Sequence, residues 1–205
     1  MSALPSPRVL IPGSTERLLT PLRMCDTFLG IPASFRERGV PVRGHGGAEW
    51  ATGLMVNRRS VRQAVIPAAS VSATARDLAR MYQALANSGE LDGVRVLAAG
   101  TLASALRPSS DGETDRYLNL PVRWSEGFQL GGSRGGRERL GGRYSPLGQR
   151  SNPRAFGHNG SYVCIGWADP DRQLAVGYVS SLVVSRARGA RHMAGVSDAI
   201  LAGCD

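Results

Sequence analysis

Phe156-Gly157-His158-Asn159-Gly160 is the stretch of this 205-residue sequence whose residue types best suit a binding or reaction site. It is predicted as a strand, and the glycines on either side of the His158-Asn159 pair leave one edge nearly free of side chains. A glycine inside a strand often marks the close approach of a ligand to the backbone. The stretch therefore predicts a wall for a ligand. The alternative is a histidine packed at a strand edge without a role.

Two more strands and a helix are predicted after this stretch. The strands are Val163 to Ala168 and Leu174 to Ser181. The turn between them, DPDR at residues 169–172, is predicted because proline restricts φ and aspartates can hydrogen-bond their own backbone. The three strands form an antiparallel meander, and a helix from Arg186 to Ala202 can pack on one face of it.

Helices and loops are predicted earlier in the chain. The clearest helix begins at Thr74 with Asp77 in a capping-box-like position, and NSG at residues 87–89 ends it. Its apolar residues recur at helical spacing: Leu78, Met81, Tyr82 and Leu85. A long connection with little periodicity is predicted for Arg36 to Val65, and a strand for Pro121 to Leu130.

Three stretches, in order along the chain, resemble one known family. They are PLRMCDTFLG (residues 21–30), ATARDLAR with GELDG (residues 73–80 and 89–93), and the FGHNG strand with the hairpin and helix after it. They resemble segments of the serine β-lactamase-like hydrolases, which include class C β-lactamases, D,D-peptidases and esterases. Arg23 stands where that family usually has glycine. The resemblance covers the chain from about Leu19 onward.

The resemblance implies an α/β (α+β) fold, in which an antiparallel sheet made from both chain ends is flanked by helices. This chain would form an incomplete version that lacks the N-terminal side. Residues 1–18 are unplaced, residues 19–120 would form part of the helical lobe with long loops, and residues 121–205 the sheet strands and C-terminal helix. A sheet edge and apolar helix faces would then lie uncovered.

The resemblance also implies a site. His158 would orient the substrate, Asn159 and Gly160 would belong to the strand that lines the cleft, and the backbone N–H of Ser161 would form half of an oxyanion hole. The expected substrate is a small ester or a β-lactam-like molecule. YLN at residues 117–119 matches the family's Tyr-x-Asn motif in spelling but lies out of order, so a chance match at a loop end is predicted.

The family's nucleophile is missing from the sequence. It belongs to a Ser-x-x-Lys motif, in which the lysine amine helps to activate the serine, and this chain contains no lysine. Ser14 and Ser104 are followed three residues later by Arg17 and Arg107, but arginine keeps its proton in proteins and cannot act as the base. We therefore predict the C-terminal portion of such a hydrolase, from a truncated or disrupted reading frame and inactive alone. A separate N-terminal half supplied in trans is the variant of this prediction.

Two other functions use different residues. GGSRG at residues 131–135 satisfies G-x-S-x-G and GHGG at residues 44–47 resembles an α/β-hydrolase oxyanion loop, so Ser133 could form a triad with His192 and Asp169 or Asp171. No buried strand pattern precedes that serine and no helix pattern follows it, as a nucleophile elbow requires. The same Gly/Arg loop suggests a non-enzymatic basic module for RNA, but it lacks interleaved aromatic residues.

Composition bears on partners and location. The net charge is +9, and all 25 basic residues are arginine and scattered, which favours a composition bias over a specific nucleic-acid partner. Cys25, Cys164 and Cys204 lack metal spacing, as do His45 and His192, so neither a metal nor a cofactor is predicted. No segment is long and apolar enough to span a membrane or to act as a secretory signal, so a cytoplasmic location is predicted.

Overall fold

The computed structural model describes residues 13–132, 145–160 and 164–204. Its helices are a π-helix (Thr15–Leu19), a 3-10 helix (Ala33–Arg38), α1 (Gly47–Val56), α2 (Arg59–Gln63), α3 (Ala75–Ala86), α4 (Ala99–Ala105) and α5 (Arg186–Ala202). Its strands are β1 (Phe28–Leu29), β2 (Arg43–Gly44), β3 (Val71–Ser72), β4 (Glu90–Leu91), β5 (Val94–Arg95), β6 (Ser110–Asp115), β7 (Leu120–Trp124), β8 (Gln129–Leu130), β9 (Phe156–Gly160), β10 (Cys164–Asp169), β11 (Leu174–Val179) and β12 (Leu182–Val183).

The main sheet has six strands in the order β11-β10-β9-β8-β7-β6, and every neighbouring pair is antiparallel. Helix α3 packs over one face, where Tyr82, Phe156 and Ala168 share a buried cluster. On the other face Trp167 and Val176 pack with Met193 of α5. The predicted antiparallel sheet with flanking helices is confirmed.

The sheet begins earlier than predicted. Its first strand is β6 at Ser110, before the predicted start at Pro121. The predicted strand Pro121 to Leu130 is two strands, β7 and β8, that pair with each other. Gly127 lies between them with φ +88°, a conformation that glycine adopts without steric cost and that allows the chain to reverse.

The predicted connection from Arg36 to Val65 is wrong, since it contains α1 and α2. Helix α1 could not be predicted from the spacing of its apolar residues, because these residues do not form a buried stripe. Trp50, Leu54 and Met55 are 56%, 51% and 53% exposed. These three side chains form an apolar helix face that no other described residue covers. Strand β11 ends the sheet with no further strand among the residues described.

Helix α3 connects two of the stretches that carry the family resemblance. The Thr74 hydroxyl accepts a hydrogen bond from the Asp77 N–H at 3.1 Å, which confirms the predicted cap. The buried Asp77 carboxylate accepts from the Asp26 N–H and the Thr27 hydroxyl, both at 2.9 Å. A carboxylate thus joins the segment at residues 21–30 to the start of α3, because a buried charge needs such partners.

Candidate active site

Strand β9 carries the predicted site residues and is held firmly in the sheet. Phe156 is fully buried in the core. At Gly157 a Cβ would lie 2.4 Å from both the Gly166 carbonyl oxygen and the Trp167 Cβ, so only glycine fits against β10. The alternation of the strand then leaves His158 exposed and Asn159 buried. The histidine is presented to solvent on a rigid support.

One edge of β9 is open at its C-terminal end. Strand β10 pairs with β9 along its whole length, from Phe156 to Gly160. Strand β8 pairs only with Phe156 and Gly157. From His158 to Gly160, β9 therefore has no strand partner on the β8 side within the residues described. Backbone groups on an open edge can pair with an extended ligand.

A cleft of about 500 Å³ adjoins this open edge. His158 and Asn159 line it, together with residues of α1, of the turn after β6 and of the segment before α5. Tyr117 and Leu118 are also in its wall, so the YLN stretch at residues 117–119 lies between β6 and β7 beside the predicted site. Ser161, the predicted oxyanion donor, lies outside the described residues.

A tryptophan, an aspartate and an arginine organise the wall opposite β9. The rings of Trp124 and His158 lie 5.8 Å apart between centroids. The Trp124 indole N–H donates to the Asp115 carboxylate at 3.1 Å. The same carboxylate accepts from the backbone N–H groups of Tyr117 at 2.9 Å and Leu118 at 2.7 Å, which fixes the turn. Sequence reasoning missed these groups, because the sheet register brings them to the cleft.

Arg186, at the start of α5, closes the same wall from the other side. Its guanidinium lies 4.8 Å from the centroid of the Tyr117 ring and donates to the Tyr117 carbonyl at 3.4 Å. The backbone N–H of Leu118 lowers the pKa of Asp115 below its ordinary value of 3.8, and the Tyr117 N–H, the Trp124 indole and the Arg186 charge lower it further, against partial desolvation.

Acidification below pH 3.8 is expected to disturb this wall. Because the pKa of Asp115 is lowered in the folded state, its carboxylate stabilises the turn above pH 3.8, and this contribution is lost as the pH falls from 3.8 through the lower folded-state pKa. The Trp124 indole N–H resonance should shift in that window. In Asp115→Asn, which keeps an acceptor oxygen but does not titrate, the shift should disappear. An equal shift in both proteins would show that another group is responsible.

Gln129 is a buried polar residue in the cleft that sequence reasoning also missed. It lies opposite Trp124 on one side and Gly157 on the other. The residue is 3% exposed and lines the cleft, yet its Oε1 has no hydrogen-bond partner within the described residues. No sequence pattern marks this residue, because glutamine is an exposed residue in most proteins.

The alternative triad does not assemble among the residues described. The ring of His192 is on α5, where its Nε2 lies 2.8 Å from the Tyr178 hydroxyl. The fully buried Asp169 accepts instead from the side chains of Asn152 and Arg172. Ser133 and the Gly/Arg loop of the RNA-binding alternative lie outside the described residues. The antiparallel sheet also differs from the mainly parallel sheet of an α/β-hydrolase.

Among the residues described, no three His, Cys, Asp or Glu side chains are grouped so that they could hold a metal ion. None of the described helices combines the length and apolarity needed to cross a bilayer.

The antiparallel sheet with its flanking helices defines a fold class, that of the β-lactamase and transpeptidase-fold proteins. A family VIII carboxylesterase of known structure matches with a TM-score of 0.66 at 26% identity, over 89% of this chain and 50% of that chain. A penicillin-binding protein homologue from Caulobacter crescentus matches with a TM-score of 0.67 at 25% identity, over 93% of this chain and 51% of that chain. The chain thus spans about half the length of these two structures.

Sequence comparison names the family within that class. The family model described as Beta-lactamase matches residues 14–198, so the chain belongs to the β-lactamase family. The esterase/beta-lactamase LipL of Mycobacterium tuberculosis (strain ATCC 25618 / H37Rv) is 36% identical over 122 residues, which cover 60% of this chain and 25% of LipL. The family that the three sequence stretches suggested is confirmed.

Proposed function

We propose that this chain forms the substrate-binding wall of a serine ester hydrolase. The observation that carries the proposal is the open edge of β9 from His158 to Gly160, which faces a cleft of about 500 Å³. An ester laid along this edge can form backbone hydrogen bonds, as a strand added to a sheet does. The names of the matching carboxylesterase and of the esterase/beta-lactamase LipL support ester chemistry.

Each group on this wall has a proposed part in acyl transfer. His158 is exposed beside the cleft. Its ring can donate a hydrogen bond through one nitrogen and accept one through the other, and its partners are the substrate and the attacking hydroxyl. The backbone N–H of Ser161 stabilises the oxyanion that develops on the ester carbonyl. One such donor contributes about 3 kcal/mol in the transition state. The indole of Trp124, held by Asp115, gives the substrate an apolar surface to pack against.

The attacking serine is proposed to come from elsewhere in the family's fold. The sequence has no lysine with which to build a Ser-x-x-Lys pair. The matching part is 50% of the carboxylesterase chain and 51% of the penicillin-binding protein homologue. Each of these proteins therefore has a further half that this chain does not match. The nucleophile and the second oxyanion donor would lie in that other half, supplied in cis or in trans.

Ester binding tests the proposal without requiring turnover. The ester 4-nitrobenzyl acetate should quench the fluorescence of Trp124 in a saturable way, because a nitroaromatic bound in the cleft lies close to the indole. His158→Ala should raise the dissociation constant up to about tenfold, as expected for the loss of one hydrogen bond. His192→Ala removes a histidine ring that does not line the cleft, so this substitution should leave the dissociation constant unchanged. Equal effects of both substitutions would contradict the proposal.

A further inference from the structure

Gln129 is a buried polar residue of the cleft that has no role in the proposed reaction. The residue is 3% exposed, and its Oε1 has no hydrogen-bond partner within the described residues. An acceptor buried without a partner costs free energy, and native proteins contain few of them. Such a group on the wall of a binding cleft is therefore one for which a ligand can supply the missing donor.

The neighbours of Gln129 in the sheet do not supply that donor. On one side lies Gly157, which has no side chain and no room for one. On the other side lies Trp124, whose indole N–H already donates to Asp115. Among the residues described, the Oε1 of Gln129 therefore has no donor, and the residue lines the cleft that a ligand would enter.

The position of Gln129 decides which part of a substrate it meets. It is opposite Gly157, three residues before Gly160 on β9. Three residues of an extended strand span about 10 Å. A group that hydrogen-bonds Gln129 thus lies several bonds away from an ester carbonyl held near the end of β9.

We propose that Gln129 determines specificity by accepting a hydrogen bond, through Oε1, from a donor on the acyl chain of the substrate. The ligand class is an ester whose acyl chain carries an amide N–H or a hydroxyl several bonds from the ester carbonyl. This inference rests on the proposed function and adds the substrate class. A site that buries a hydrogen-bonding group discriminates against an analogue that lacks the matching group, because the protein group is then left unpaired.

A matched pair of esters tests the inference. Ethyl 5-acetamidopentanoate and ethyl 7-oxooctanoate differ only in an N–H that is replaced by CH2. Their dissociation constants are measured by displacement of 4-nitrobenzyl acetate from the cleft. The wild-type chain should bind the amide at least fivefold more tightly than the ketone. In Gln129→Leu, which keeps the volume and removes the acceptor, the two should bind equally.

Two further variants control for folding. Gln83→Leu makes the same change at an exposed position on α3 and should retain the wild-type preference. Gln129→Glu retains an acceptor oxygen and should also prefer the amide. Equal binding of both esters by the wild-type chain, or a preference that survives in Gln129→Leu, would overturn the inference while leaving ester binding intact. Failure of 4-nitrobenzyl acetate itself to bind would reject the proposed function, and the inference with it.

Discussion

The purified chain is expected to hydrolyse neither 4-nitrophenyl acetate nor nitrocefin faster than buffer does, and to resist labelling by fluorophosphonate probes. A serine hydroxyl is a weak nucleophile until a neighbouring base removes its proton. Loss of that base in a serine hydrolase lowers kcat by a factor on the order of 10⁶. The sequence has no lysine, and the arginines that follow Ser14 and Ser104 at the lysine's spacing cannot accept a proton.

The hydroxyl of Ser104 contacts an arginine and not a base. The guanidinium of Arg107 donates to the Ser104 hydroxyl oxygen at 2.5 Å, so the arginine supplies a proton donor where catalysis needs an acceptor. Labelling and hydrolysis are measured together in the wild-type chain and in Ser133→Ala. Labelling lost in that variant would favour the α/β-hydrolase alternative. Labelling that persists in it would reveal a nucleophile elsewhere in the chain.

Gly177→Ala is expected to lower the free energy of unfolding by about 3 kcal/mol, at the upper end of the usual cost of overpacking a core. Gly177 lies on β11 where the backbone of α3 crosses it. A Cβ there would lie 2.2 Å from the Ala75 carbonyl oxygen and 2.8 Å from the Ala79 nitrogen. Backbone atoms cannot rotate away as a side chain can, so α3 must move off the sheet and loosen the cluster around Tyr82 and Phe156.

Gly195→Ala is the matched control for this substitution. Gly195 is an exposed residue inside α5, and a Cβ there would meet nothing within 4 Å. Alanine is favoured over glycine in a helix interior, so the variant should be more stable than the wild type by about 1 kcal/mol. Urea unfolding of the three proteins checks both signs. A Gly177→Ala variant as stable as the wild type would mean that α3 does not pack against β11 as described.

The helix that the sequence predicted most clearly is the one with a local signal, because Thr74 and Asp77 mark the start of α3. The predicted bounds of α5, Arg186 to Ala202, are also those observed, although no side chain caps its start. Helix α1 carries no such signal, since it begins at Gly47, contains Gly53 and leaves Trp50 exposed. A glycine-rich helix without a buried stripe has the composition of a loop.

The cleft was only partly predictable for a different reason. The glycine pattern around His158 indicated a strand that something approaches, and this strand does border the cleft. Asp115, Trp124 and Gln129 reach the same cleft through strand pairing between residues far apart in sequence. Register between distant strands depends on packing of the whole sheet, so no local pattern identifies these residues in advance.

One sample tests the central claim, that the chain binds esters along β9 but cannot attack them. Ethyl butanoate is added to the ¹⁵N-labelled chain, and the amide spectrum of the protein and the proton spectrum of the ester are followed together. We predict that the amide signals of His158, Asn159 and Gly160 and the indole signal of Trp124 shift, while the ester remains intact for hours. Consumption of the ester by the chain, or shifts confined to residues outside the cleft, would contradict the account.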